Sequence, residues 1–353
     1  MIESYAKLRA AVIGVGSMGA NHVRVYANRD DVQLVGVVDL NAELAKRIAD
    51  RFSTEVYSSV DNMLAQAKPH VVSIAVPTAQ HSEVAGQCMR AGVHCLLEKP
   101  ICATVEEGNE LMALSVQTGC VLLPGHIERY NPAIQTLLLQ LNKGDIGSFY
   151  RIEVERSGPF PPRIRDTGVI LDLAVHDLDI VSMLLGSLPE SLYSETQQLL
   201  HEIYEDSVVA VLRYPNDVIA TLNVNWTSPT KRRILKVFGS KGMFQVDYIS
   251  QELRFFENAD QVGSTIPWEI PGIREGREIR HVIGVKEPLA VEIDYFLKCI
   301  REGKSTESEI RESINALHLA AVLLKAGRER AKVNLADCSD SLYSPSGTTF
   351  LYT

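Results

Sequence analysis

The chain has 353 residues, with 35 Lys plus Arg against 44 Asp plus Glu and a formal charge of −9. Its length exceeds one ordinary domain, and 46% hydrophobic with 22% charged residues supply cores for two while excluding disorder as the main state. The acidic balance argues against nucleic acid or an anionic membrane as partner. No apolar run reaches the roughly 20 residues of a membrane helix, and Met1–Tyr5 lacks a basic, apolar leader, so the expected location is the cytoplasm. Cys88, Cys95, Cys102, Cys120, Cys299 and Cys338 form no C-x-x-C pair and no zinc-finger spacing. They read as reduced thiols packed as small hydrophobes, and no metal is expected.

Strand-like and helix-like segments alternate from the start. Apolar runs at Leu8–Gly14, Gln33–Asp39, His70–Pro77 and His94–Glu98 suit strands buried on both faces of a parallel sheet. Helix-like stretches lie between and after them at Ala20–Asn28, Ala42–Phe52, Ser82–Ala91 and Val105–Thr118. This order predicts a doubly wound parallel sheet, the Rossmann arrangement, over residues 1–124.

The texture changes after Pro124. Phe149–Arg156, Ser207–Tyr214, Val218–Thr227, Arg233–Phe238 and Met243–Tyr248 read as strands with no long helices between them. Arg151–Glu155 alternates polar and apolar, as in a sheet with one wet face. Residues 125–353 are therefore expected to form a second α/β domain with an open, largely antiparallel mixed sheet. A helix at Val169–Leu185 precedes most of these strands, and helices at Pro288–Arg301 and Glu307–Ala326 follow them.

Gly14-Val15-Gly16-Ser17-Met18-Gly19 is G-x-G-x-x-G between a strand and a helix. There the glycines permit a tight turn, close approach of a pyrophosphate, and helix–strand packing, while the helix N-terminus offers N–H groups to phosphate. Asp39 follows Gly19 by 20 residues at the end of the second strand, where a carboxylate can bind the ribose hydroxyls of NAD and repel the extra phosphate of NADP. His22, in the first turn of the helix, suits either packing or contact with a ligand.

Two further features sit where such a fold places chemistry. Glu98-Lys99-Pro100 follows a strand at its C-terminal end, the ligand-binding edge of an open α/β sheet. Lys99 could there hydrogen-bond a hydroxyl as it becomes a carbonyl. Asp172, His176 and Asp179 are spaced i, i+4 and i+7 in an otherwise apolar helix, so they share one face. Histidine titrates near neutrality and suits general acid–base work. A metal site and a purely structural polar cluster are the alternatives for this stripe.

Together these motifs resemble the Gfo/Idh/MocA oxidoreductases, over roughly residues 8–330; Glu287-Pro288-Leu289 with Phe296 and Ile300–Lys304 is similar to the family's late helix. The resemblance implies NAD as cofactor, held by Gly14, Gly16, Ser17, Met18, Gly19, Asp39, Pro77, His81, Glu98 and Lys99. It places catalysis on Lys99, Asp172 and His176, and implies a homodimer or homotetramer built through the second domain's sheet. Gly125–Pro132 and Arg156–Asp166 resemble the branch that oxidises UDP-N-acetylglucosamine at C3 for 3-amino sugars of lipid A and related glycans, with an aminotransferase as functional partner. That likeness implies substrate contacts from His126, Arg129, Asn131, Arg163 and Arg165 besides Lys99, Asp172 and His176. Guanidinium groups suit a substrate diphosphate, although Arg163 and Arg165 could equally pair with Asp166 or Glu155. UDP-N-acetylglucosaminuronic acid, an inositol or a free sugar are alternative substrates on the same scaffold. A non-catalytic dinucleotide-binding protein is the rival reading; it gives no joint use to Lys99 and His176.

Overall fold

The computed structural model describes residues 7–162, 164, 167–259 and 275–338. Two compact units divide them: the described residues up to Ile127 together with Glu287–His318, and those of Glu128–Lys286 together with the residues from Leu319 onward.

The first unit holds a six-stranded parallel sheet of β1 (Leu8–Ile13), β2 (Val32–Val38), β3 (Val56–Tyr57), β4 (Val71–Ile74), β5 (His94–Glu98) and β6 (Leu122–Gly125). Its order is β3-β2-β1-β4-β5-β6, the dinucleotide-binding topology. Helices α1 (Ser17–Ala27), α2 (Ala42–Phe52), α3 (Val60–Ala67), α4 (His81–Arg90) and α5 (Val105–Thr118) connect the strands. Local chemistry sets their ends. Asn41 and Ser59 cap α2 and α3, and Thr104 with Glu107 forms a capping box on α5, closed by Gly119 in the left-handed region.

The second unit is built on a nine-stranded sheet of β7 (Phe149–Pro159), β8 (Ser191–Gln197), β9 (Ser207–Arg213), β10 (Ile219–Asn225), β11 (Thr227–Gly239), β12 (Gly242–Asp247), β13 (Glu252–Asn258), β14 (Glu275–His281) and β15 (Val333–Asn334). The order is β14-β13-β12-β11-β7-β10-β9-β8-β15; β7 and β10 run parallel, and the remaining neighbours are antiparallel. Helices α6 (Pro132–Asn142) and α7 (Val175–Leu185) share one core with it, through Ile134, Leu137, Leu178 and Val181 against Ile152, Val154, Leu235 and Val237. Val209 and Val211, on alternate positions of β9, remain exposed.

Placing the whole of 125–353 in the second domain does not match these units. Residues 287–318 pack on the first, and the division falls inside α9 (Glu307–Glu329). The reason lies in α8 (Pro288–Glu302), which buries Leu289, Ile293, Phe296 and Leu297 and is tied by charge to α1 and the turn after it. Arg24 pairs with Glu287, Arg29 with Asp294, and Arg301 with Asp31.

Asp31 is the centre of this attachment. Its carboxylate accepts from Arg29 at 2.9 and 3.0 Å and from Arg301 at 2.5 Å. Partial burial pushes its pKa up, but the hydrogen bonds from Arg29 and Arg301 outweigh burial and bring it down to about 2. A carboxyl held below its unfolded value stabilises the fold above that value, near pH 4, and loses this as pH falls through the folded one. Asp31→Asn should therefore lower the thermal midpoint at pH 7, with the difference shrinking as pH is lowered from about 4 towards 2. Equal midpoints at pH 7 would contradict the role given to this carboxylate.

Candidate active site

In the first unit the glycine loop closes on backbone contacts that leave no room for a Cβ at Gly14 or Gly19. Gly14 has φ +81°, and a Cβ there would stand 2.6 Å from the Ala75 carbonyl oxygen. A Cβ on Gly19 would stand 1.8 Å from the Gly14 oxygen, so helix and turn could not close. Gly16 faces open space at the start of α1, whose N-terminus carries no side-chain cap. Ser17 is exposed beside it and Met18 half-buried. Asp39 lies at the rim: one carboxylate oxygen accepts from the Val15 N–H at 2.7 Å and the other from the Asn41 N–H at 2.8 Å. An uncapped helix N-terminus, a Cβ-free cradle and an adjoining carboxylate fit a dinucleotide.

The histidines of this unit face inward. His22 is 1% exposed, with Nε2 3.0 Å from Glu98 Oε1 and Nδ1 2.9 Å from Ser73 Oγ, which also meets Tyr26 Oη at 3.0 Å. Of its two readings, the structure places His22 in packing, where it ties α1 to the end of β5. His81 is equally buried, its two ring nitrogens each 2.9 Å from a carbonyl oxygen, of Val76 and of Pro100. Burial pushes its pKa down, against the pull of those carbonyls towards the protonated form. His81 thus holds the loops after β4 and β5 together, while Pro77 is exposed and Lys99 half-buried. The Lys99–Pro100 peptide is cis. His126 is buried and contacts Ser313 Oγ at 2.8 Å within the same unit.

In the second unit the expected helix begins as a π turn, Ile170–Ala174, and continues as α7. Such turns add a residue to the helix and are frequent at functional sites. Asp172 sits in this turn, half-buried, and His176 follows in the first turn of α7. Asp179 is buried and accepts from Arg129 Nε at 2.7 Å, with a second contact from the same guanidinium. Arg129, expected as a substrate contact, is 2% exposed and engaged in this buried ion pair. Asn131 caps α6, accepting from Ala133 N–H at 3.1 Å, and donates to the Tyr248 carbonyl at 3.0 Å. Both were expected at the substrate from the likeness of Gly125–Pro132 to one branch of the family; in the structure each is buried with protein partners, as buried polar groups require. Arg163, Arg165 and Asp166 lie outside the described residues.

A network missed in the sequence adjoins this pair. Arg156 is 1% exposed and grips Asp177 with two bonds of 2.7 and 2.9 Å, while its third nitrogen reaches Glu128 at 2.8 Å. Burial works against its charge, but Asp177 and Glu128 outweigh it and hold Arg156 protonated. Arg233 reaches the same Glu128 oxygen at 3.2 Å. The available signal was the alternation of β7, which puts Arg156 on the inward face with Ile152 and Val154.

Comparison with known proteins adds the following. Residues 8–126 match the family model GFO_IDH_MocA, described as an oxidoreductase family with an NAD-binding Rossmann fold, and residues 134–245 match the GFO/IDH/MocA C-terminal domain. The chain is 34% identical over 293 residues to a UDP-N-acetylglucosamine 3-dehydrogenase of Acidithiobacillus ferrooxidans, covering 83% of this chain and 88% of the relative. A solved structure of that enzyme superposes with a TM-score of 0.81 at 32% identity, over 91% of this chain and 98% of the other. An inositol 2-dehydrogenase of Rhizobium meliloti is 25% identical over 340 residues, covering 93% and 99%.

The buried network yields a stability test. Arg156→Met strands Asp177 and Glu128 with one cation fewer, and removing one partner of a buried pair costs about 3–5 kcal/mol. Urea unfolding should show a loss of that order. A change below about 1 kcal/mol, the scale of an exposed pair, would mean the network carries little of the fold.

Proposed function

The chain belongs to the Gfo/Idh/MocA oxidoreductase family, with NAD as its cofactor, and from that premise we propose that it oxidises the 3-hydroxyl of UDP-N-acetylglucosamine to the 3-keto sugar. The observation that carries the substrate is the similarity to the Acidithiobacillus ferrooxidans enzyme, which extends over 83% of this chain at 34% identity.

Bound NAD supplies the hydride acceptor. The protein's part is then to hold the sugar and to take the hydroxyl proton. His176 is assigned as that base, a role suited to an imidazole near neutrality. Lys99 is assigned to polarise the reacting oxygen, and Asp172 to orient the base or the lysine; Lys99 and His176 could exchange roles. His22 and His81 serve by position. The first engages Glu98 and the second the Pro100 carbonyl, so both flanks of Lys99 are held. The 3-keto product would feed an aminotransferase. The likeness to an inositol 2-dehydrogenase over 93% of this chain favours, as second reading, a polyol on the same catalytic groups.

An assay coupled to a 3-keto-sugar aminotransferase tests this, because it removes a ketone whose formation is unfavourable. NAD reduction is expected with UDP-N-acetylglucosamine and little with free N-acetylglucosamine, since the remote nucleotide supplies binding energy for positioning the sugar. NAD reduction by myo-inositol and none by the nucleotide sugar would replace the first reading with the second. In the same assay Lys99→Ala and His176→Ala should each lose at least about 10²-fold in turnover, the scale of a positioned acid or base, while still binding NAD. Loss of NAD binding along with activity would make them structural.

A further inference from the structure

The inward face of β11 brings two further cations, Lys231 and Arg233, up to the Arg156 network. Arg233 stands directly opposite Arg156 in the antiparallel pair with β7. Like charges in that position repel. One oxygen of Glu128 serves both guanidinium groups, at 2.8 Å from Arg156 and 3.2 Å from Arg233. Arg156 also has Asp177; among the described residues Arg233 forms an ion pair with Glu128 alone, and its side chain is 31% exposed. Burial and then Arg156 push the Arg233 pKa down, against the opposing pull of Glu128, Asp177 and Asp172.

Lys231 lies two residues earlier. Between Thr227 and Arg232 the ladder breaks: five steps on β11 match two on β7, from Pro159 to Ser157. A bulge of this kind re-aims side chains. The stem of Lys231 passes 3.9 Å from where a Cβ of Gly158 would be, on the β7 face that carries Arg156. Arg233, more than burial, pushes the Lys231 pKa down. Among the described residues Lys231 has no ion pair; its neighbour Arg232 turns to Glu155 instead. Two crowded cations, Lys231 exposed and Arg233 partly so, thus meet beside Glu128, whose carboxylate Arg156 also uses.

We propose that Lys231 and Arg233 form an anion site that takes the diphosphate of the nucleotide sugar, a role beyond those already given to Asp172 and His176. The inference rests on the nucleotide-sugar reading for the identity of the anion, though not for its existence. Two cations match a group carrying two negative charges. The guanidinium offers a planar fork to one phosphate, and the ammonium a movable point charge to the other. Binding relieves the repulsion between Arg233 and Lys231, so the free protein holds the site ready at some cost in electrostatic energy.

Calorimetric titration of the full chain, saturated with NAD, tests this with UDP, uridine and inorganic pyrophosphate as probes. Lys231→Gln alters an exposed side chain, and Arg233→Lys keeps a cation beside Glu128, so both variants should fold. Each should weaken UDP binding about tenfold or more, the scale of one charged hydrogen bond, and leave NAD and uridine binding unchanged. UDP affinity unaltered in both variants, or an equal loss for uridine, overturns the anion site. If both variants also oxidise UDP-N-acetylglucosamine with unchanged KM, the site falls and the substrate reading stands. If the unmodified protein ignores UDP but binds pyrophosphate through Lys231, the site stands and the nucleotide-sugar reading falls.

Discussion

Charge buried in the second unit must be matched, and the placement of α7 follows from how it is matched. Asp177 and Asp179 lie on an apolar helix with almost no access to water. Unpaired, each would cost several kcal/mol. Arg156 from β7 and Arg129 from the turn before α6 answer them with paired bonds. Bidentate contacts fix direction as well as distance. The helix is thereby locked against the sheet, and Asp172 and His176, which precede these anchors, inherit a defined position. The same arginine brings Glu128 into the network, and Glu128 in turn brings Arg233. A framework of ions thus links the fold of this unit to the charge it presents.

The first unit reaches a fixed geometry by a different route, steric rather than electrostatic. The glycine loop closes because hydrogen replaces a side chain at Gly14 and Gly19. Asp39 then secures the loop by accepting from Val15, so the carboxylate suited to a ribose also holds the turn beside it. Buried histidines brace the strand ends on which Glu98 and Lys99 sit. Neither His22 nor His81 needs to touch a ligand to matter to one.

Much of the architecture was legible because burial writes directly into composition. Strands covered on both faces, such as β1 and β4, are near-continuous apolar runs, and α2 and α5 carry caps and periodicity that mark their ends. Short or wet elements leave no such trace. β3 is two residues long, and β14, Glu275–His281, is exposed along most of its length. The start of α6 did carry a signal, Asn131 followed by Pro132 at the first helical position. For the site, the glycine loop and the Asp172–His176 spacing were readable. The partners of Arg129 and Arg156 were not, since a polar residue reads the same whether it faces water or a buried carboxylate 50 positions away. The attachment of α8 to the first unit was hidden for the same reason, as the pairs Arg24–Glu287 and Arg301–Asp31 span more than half of the chain.

Isotopic labelling tests the central claim most directly. UDP-N-acetylglucosamine carrying deuterium on C3 of the sugar, incubated with the protein, NAD and a ketone-consuming aminotransferase, should deliver that deuterium to the nicotinamide ring and yield a 3-amino sugar. Reduced cofactor without deuterium, or amination at any other carbon, would contradict oxidation at the 3-hydroxyl.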